Sequence, residues 1–345
     1  MESSWPHDLS LPDPGLPLRE RLLRLVDAAR LAPSIRNTQP WRFRVGASTV
    51  EVLAERSRSL PVADPEGRGL LVSCGSALAF LEVAAHSAGL ATAIERAPGT
   101  REEGELVARV TITGEARPST EEPWLVQAMP KRRTHRGVFS SHRVSPALLR
   151  RLVALADAHG APLTIVEGPA RAVLAGIVDE ADRAQRRDPE FRRELAAWTA
   201  PGRGGLGMPA HAGEVAAIVA GEPTCLRTFA WAEPGEEPEP PTLRPATGDA
   251  IDAGSPVLAI VTTHGDDPGW WLRAGETLAR VLLRGRVDHL WASFLGAPIE
   301  VPAARAELRA RLGLAGFPQV VLRLGYAGDL APTPRLGLDA VLAEA

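Results

Sequence analysis

Apolar residues recur at helical spacing in Leu22, Leu25, Val26 and Ala29, predicting a helix over Leu18 to Leu31. It stops at Ala32-Pro33-Ser34, because proline disfavours helix at the residue before it. Phe43 to Val45 and Val50 to Leu53 flank Gly46-Ala47-Ser48 and read as a β-hairpin. Leu70 to Ala88 is nearly all apolar, which predicts a helix buried on most sides. Ala91 to Glu95 and Leu106 to Thr113 follow as strands, closing one α+β unit near residue 115.

A second round begins with an amphipathic helix over Pro146 to His159, carrying Leu149, Leu152, Val153 and Ala156 on one face. A strand at Leu163 to Val166 and helices over Ala170 to Gln185 and Pro189 to Trp198 come next. Pro201 to Pro256 is rich in glycine, proline and acidic residues, so a functional lid or a disordered segment is expected there. Beyond it lie a strand at Val257 to Thr262, helices at Trp270 to Arg284 and Ala303 to Leu312, and a strand at Val320 to Leu324. The two rounds echo each other: Gly75 falls on Gly275, Leu78 on Leu278 and Ala79 on Ala279. Only the second round carries an arginine-rich opening at 131–136 and a closing strand near 320 on this reading.

At 345 residues the chain holds roughly two domains' worth of sequence, at about 150 residues each. With 45% hydrophobic and 23% charged residues it has the make-up of a soluble protein, and a net charge of −3 argues against a polyanion binder such as a nucleic-acid protein. Cys74 and Cys225 have no paired spacing, so neither a disulfide framework nor a thiolate metal site is expected. The opening residues lack a signal-peptide pattern and no uncharged apolar run of about 18 residues occurs, so a cytoplasmic protein without a membrane span is expected.

Two segments carry chemistry. Ala32-Pro-Ser-Ile-Arg-Asn-Thr-Gln-Pro-Trp-Arg-Phe43 ends a helix in small polar side chains and leads through Pro-Trp into a strand. Such a loop offers hydroxyl and amide groups to a polyhydroxyl chain or a heteroaromatic edge. Lys131-Arg-Arg-Thr-His-Arg136 gathers several guanidiniums and a hydroxyl, a clamp suited to a phosphate monoester. Taken alone, the second segment reads as a solvated basic loop. Since Lys131 is the only lysine, phosphate recognition would fall to arginine's planar fork.

Together these segments resemble the nitroreductase superfamily, and their swapped order resembles its longer Acg family. Trp271-Leu-Arg-Ala-Gly-Glu-Thr-Leu-Ala279, Pro298-Ile-Glu-Val-Pro302, Gly316-Phe-Pro-Gln319, Leu322-Arg-Leu-Gly-Tyr326 and Asp188-Pro-Glu-Phe-Arg-Arg-Glu-Leu-Ala-Ala-Trp198 agree with it, so the resemblance runs from about residue 18 to the end. It implies an α+β nitroreductase fold whose two pseudo-repeated halves, 1–125 and 126–345, mimic a homodimer, each a mixed or antiparallel sheet flanked by helices. It further implies FMN between the halves. Arg132, Arg133, Thr134 and Arg136 fall where the family grips the phosphate and ribityl chain, and Arg335 where a C-terminal basic residue meets the phosphate. Ser34, Arg36, Asn37 and Gln39 come from the other half, and Ala292 with Ser293 falls near where a backbone N–H faces the flavin. Arg36 replaces a common histidine, and Leu336 stands where a second arginine is usual.

The activity implied is an FMN-dependent oxidoreductase using NAD(P)H to reduce a nitroaromatic, quinone or similar small acceptor. A flavin-binding protein that stores FMN or senses redox state without turnover is the alternative, and dehydrogenation of a peptide or natural product a further one. A monomer mimicking a dimer is expected, with no metal and no assignable catalytic side chain. Gly202-Arg-Gly-Gly-Leu-Gly207 has the spacing of a dinucleotide fingerprint but lacks the preceding strand and following helix. His264-Gly-Asp-Asp-Pro268 reads as a helix cap, and Trp270-Trp271 as core.

Overall fold

The computed structural model describes residue 9 and residues 12–98, 105–199, 204–208, 256–329 and 332–344. Most of the expected lid segment, 201–256, lies outside the described residues, as does Cys225.

The first half runs α1 (Leu18–Ala29), β1 (Trp41–Val45), β2 (Thr49–Ala54), α2 (Arg68–Ser87), β3 (Leu90–Arg96) and β4 (Leu106–Glu115). A short helix α3 (Glu122–Ala128) leads into α4 (Pro146–Ala158), which opens the second half. There follow β5 (Leu163–Val166), α5 (Pro169–Arg187), α6 (Pro189–Thr199), β6 (Val257–Thr263), α7 (Pro268–Val287), β7 (Trp291–Phe294), α8 (Ala297–Glu300), α9 (Pro302–Arg311) and β8 (Phe317–Gly325). The chain is thus α+β, built on two four-stranded sheets.

Strand order is β1-β2-β4-β3 in one sheet and β5-β6-β8-β7 in the other, and every pairing of these strands is antiparallel. By rank the two orders are identical, first-second-fourth-third. This corrects the expectation that a closing strand belongs to the second half alone: β4 holds in its sheet the place that β8 holds in the other. The alternation of Leu106 to Thr113 had signalled a strand without revealing its neighbour, because sequence separation hides pairing.

Each residue of α2 stands 200 positions before its counterpart in α7. The register survives the following turn, where Gly89 (φ 74°) and His289 (φ 62°) both take left-handed backbone before Leu90 and Leu290. The two helices cross where Gly75 meets Gly275. A Cβ on Gly75 would lie 2.0 Å from the Leu272 carbonyl oxygen, and one on Gly275 would lie 2.0 Å from that of Val72. The clashing partner is three residues upstream of the opposing glycine in both cases, as a local two-fold axis requires. Ser76 Oγ donates to the Gly275 carbonyl at 3.1 Å across the same crossing.

Helix α2 is long and apolar enough to cross a membrane by length and composition, but 83% of that window is buried inside the protein. Its neighbour α7 starts on Asp267, whose carboxylate accepts from the backbone N–H of Gly269 and Trp270. That is the cap expected from the sequence. Trp271 is buried as expected, while Trp270 is half-buried.

The sheets differ in what covers them. In the first, β3 is half-buried or exposed at every position after Leu90. In the second, β6 and β8 are buried almost throughout. Leu258, Ile260 and Val321 pack with Leu174, Ile177 and Leu308 of α5 and α9 in a core of their own, while Ala259, Val261 and Leu322 join α7 in the main core. Antiparallel strands lose polar–apolar alternation when both faces are covered.

Candidate functional site

Between α1 and β1 the chain makes the Ser34–Gln39 loop, a turn of 3-10 helix over Ile35–Asn37. Arg36 (φ 44°), Asn37 (φ 55°) and Gln39 (φ 46°) all adopt left-handed backbone. Each such non-glycine residue costs on the order of 1 kcal/mol and persists only where surrounding bonds impose it. Those bonds are present: Ile35 N–H donates to Ser73 Oγ at 3.0 Å, Gln39 N–H to Ser34 Oγ at 3.0 Å, and Arg58 Nη1 to the Gln39 carbonyl at 2.8 Å. Ser34 therefore closes the loop on itself.

The carboxamides of this loop reach across to the other half. Asn37 Nδ2 lies 3.0 Å from the Gly205 carbonyl, 2.9 Å from that of Gly207 and 3.1 Å from that of Pro334. Gln39 Nε2 donates to the Gly205 carbonyl at 2.7 Å, and Gln39 Oε1 accepts from Leu336 N–H at 3.0 Å. Asn37 Oδ1 accepts from Arg335 Nη1 at 2.8 Å, and Arg335 Nη2 reaches the carbonyl of Ala32 at 3.2 Å. Segments some 300 residues apart in sequence are thus sewn together.

Arg36 is placed differently from its neighbours. Its guanidinium pairs with Glu194 of α6 at 2.9 Å and Glu300 of α8 at 2.8 Å, and lies 4.7 Å over the Phe191 ring. Glu194 also accepts from Val62 and Ala63 N–H. This arginine fastens the loop to α6 and α8.

The segment 131–136 lies beside β7. Thr134 pairs with Ala292 in a parallel bridge, and His135 N–H donates to the Ala292 carbonyl at 2.8 Å. The bridge brings Arg132, Arg133 and Arg136 alongside Ala292 and the buried Ser293, which is paired with Arg323 of β8. Arg132 is buried, and its side chain makes no hydrogen bond or ion pair among the described residues. Burial, and then the neighbouring Arg133 charge, push its pKa down to about 10. Burial followed by Arg286 lowers Arg133 against the opposing pull of Asp329, and Arg133 Nη1 donates to the Pro130 carbonyl at 2.6 Å. Arg335 is held well below the usual arginine value by burial, then by Arg132, Arg133 and Arg30.

Arg30, Arg132 and Arg133 therefore all lie within electrostatic reach of Arg335. Asp27 pairs with Arg30 at 2.5 Å, but among the described residues no carboxylate is ion-paired with Arg132, Arg133 or Arg335. Desolvated like charges repel, and a cluster of this kind gains from a bound anion. Guanidinium forks supply the bidentate donors a phosphate monoester takes, so the residues present fit the phosphate of a nucleotide cofactor.

The structure brings Arg132, Arg133, Asn37, Gln39 and Arg335 into one region, with Thr134 and Ser293 attached through β7. Two members of this region went unread in the sequence. Arg30 ends α1 and donates to the Leu336 carbonyl at 2.9 Å. Arg286 sits 4.1 Å over the Trp291 ring and 3.7 Å from the exposed Asp329. Neither carried a motif, since an arginine in the last turn of a helix is ordinary dipole compensation.

The chain is 33% identical over 331 residues to a Mycobacterium tuberculosis protein named "Putative NAD(P)H nitroreductase Rv3131", a match covering 94% of this chain and 92% of that one. It is 27% identical over 320 residues to "Putative NAD(P)H nitroreductase acg" of the same organism, covering 92% and 93%. Among solved structures it resembles the FMN-dependent nitroreductase NfnB from Mycobacterium smegmatis in complex with NADPH, at 18% identity and a TM-score of 0.40 over 65% of this chain and 98% of that one. No family model matches the chain.

Proposed function

Because the chain belongs to the Acg family of nitroreductase-like proteins, we propose that it is an FMN-dependent oxidoreductase that takes electrons from NAD(P)H and passes them to a nitroaromatic, quinone or similar small acceptor. The observation that carries this reading is the guanidinium cluster of Arg132, Arg133 and Arg335, of which Arg132 is buried and none is ion-paired with a carboxylate among the described residues. Arg132, Arg133 and Arg335 would hold the phosphate, with Thr134 and Arg136 toward the ribityl chain. FMN supplies the redox chemistry when bound, accepting and donating hydride or electrons at its isoalloxazine ring. What the protein contributes is placement. Arg132 and Arg335 are enclosed, so their charges act on the phosphate with little screening by water. Each half supplies a different part of this one site, so a single chain would do what two subunits do in a dimer.

The test exploits the absence of a carboxylate partner for Arg132 among the described residues. Arg132→Met keeps the hydrophobic stem and removes the charge. Losing one or two charge-assisted bonds to phosphate, at about 1.5–3 kcal/mol each, weakens FMN binding by about 10-fold to about 10,000-fold in fluorescence titration. Without FMN the same variant unfolds at or above the wild-type temperature, because a repulsive buried cation has gone. A variant that keeps its flavin affinity, or is destabilised without FMN, sinks the phosphate assignment. Anaerobic addition of NADPH to the yellow wild-type protein should bleach the flavin.

One observation favours the non-turnover alternative: the carboxamides of Asn37 and Gln39 are engaged by Gly205, Gly207 and Leu336 rather than left open. Flavin that stays oxidised with NADH and NADPH, yet bleaches with dithionite, would select storage or sensing over reduction.

A further inference from the structure

A cleft of about 320 Å³ opens in the first half, lined by His86, Ala91, Thr92, Arg117, Ser119 and Glu122. By the 200-residue register, His86 corresponds to Arg286 and Thr92 to Ala292, the residue that carries the 131–136 segment in the other half. The cleft therefore occupies the first half's version of the position beside the arginine clamp. Its chemistry is different.

His86 Nε2 lies 2.9 Å from Thr92 Oγ1, and His86 Nδ1 lies 3.5 Å from Glu122 Oε1. Glu122 is fixed by a reciprocal cap at the start of α3: Ser119 N–H donates to Glu122 Oε2 at 2.7 Å, and Glu122 N–H donates to Ser119 Oγ at 3.3 Å. An ionised carboxylate only accepts, so Glu122 favours the tautomer with its proton on Nδ1, in which the Nε2 lone pair faces the Thr92 hydroxyl. Thr92 is half-buried on β3, the edge strand of its sheet, immediately after a register shift between Ala91 and Thr92. Bulges of this kind re-aim a side chain. A hydroxyl, an imidazole and a carboxylate in this order form a nucleophile, its base and the group that orients the base.

We propose that Thr92 is an activated hydroxyl nucleophile, with His86 as general base and Glu122 as positioning residue, that accepts the acyl group of small carboxylic esters entering this cleft. Thr92 Oγ1 bonds to the ester carbonyl carbon while its proton passes to His86 Nε2. The bond from that carbon to the leaving oxygen then breaks, and the proton passes from His86 to the departing alcohol. Water hydrolyses the acyl-threonine in a second, slower step, with His86 again taking the proton. No flavin and no redox co-reactant is involved, so the proposal stands or falls apart from the flavin assignment.

The probe is 4-nitrophenyl acetate with the full-length protein. A burst of nitrophenolate stoichiometric with protein is expected, and peptide mass spectrometry should place one acetyl group on Thr92. Thr92→Val abolishes the burst and Thr92→Ser restores it. His86→Gln slows it about a hundredfold, the usual contribution of a general base. Glu122→Gln retains the helix cap and shifts the acidic limb of the pH–rate profile, which a purely structural glutamate would leave in place. Thermal unfolding of each variant at the wild-type temperature ties these losses to chemistry. Absence of a burst in the folded wild type, acetylation at another residue, or an undiminished burst in Thr92→Val overturns the proposal.

Discussion

Both halves fold the same scaffold, yet they finish their first helices differently. After α1 the chain spends residues 30–40 on the strained Ser34–Gln39 loop before β1 begins, whereas α4 reaches β5 through residues 159–162 alone. The arginine-rich segment is equally one-sided: it precedes α4 and bridges to Ala292, while Thr92 at the corresponding strand position faces a polar cleft. The first half supplies the carboxamides of Asn37 and Gln39 and the second supplies Arg132, Arg133 and Arg335, so the proposed site draws on both halves. A duplicated fold needs each copy to keep only what the core demands. Whatever the core does not demand is free to diverge.

The comparison breaks most decisively at the helix crossing. Gly75→Val and Gly275→Val should each destabilise the chain by about 3 kcal/mol or more, because the opposing carbonyl is backbone and cannot step aside. Equal losses in denaturant unfolding would support a shared axis, whereas one silent glycine would refute it.

A slightly smaller effect tests the asymmetry. Arg36→Ala removes the guanidinium that pairs with the largely buried carboxylates of Glu194 and Glu300, at a cost of about 3 kcal/mol. The loss should shrink in Arg36→Ala/Glu300→Gln, and calorimetry of the pair checks the coupling.

The smallest effect is a matter of pH. His159, in the short α4–β5 connection, has its pKa lowered to about 4 by burial and then by Arg280. The unfolded chain binds a proton there below about pH 6.5 and the folded chain does not until about pH 4. Stability should thus fall as pH drops between those values, and His159→Gln should flatten that part of the curve. Asp266 gives a contrasting acid limb. Burial alone would raise its pKa, but bonds from Arg305, Trp271 and Gln319 prevail and hold it well below the usual carboxylate range. Its contribution persists above the unfolded value near about pH 4 and is lost only as pH falls further.

The helices were legible because burial on one face leaves a 3.6-residue rhythm in the letters. The boundaries read for α1, α4 and α5 fall within about two residues of those observed. Strand β7 (Trp291–Phe294) was not read, although the equally short β5 was, since its first three residues are all buried and show no alternation to mark it. Helix α3 was overlooked as well, although Ser119-x-x-Glu122 spells a capping box that could have revealed it. Of the candidate site, the two motifs stood out as concentrations of polar chemistry. The roles within them did not, since Arg36 and Arg132 look alike in sequence and only their partners separate an ion-pair latch from a cation with no ion-pair partner among the described residues.

By itself the sequence determined the α+β class, the order of most elements, the family and the two segments worth attention, because periodicity, caps and motif spacing are local properties of a chain. Tertiary structure decided the rest. That β4 answers β8, that Gly75 meets Gly275, and that Arg335 binds Asn37 are all contacts between residues far apart along the chain. Their free energies depend on burial and distance, which exist only after the chain has folded.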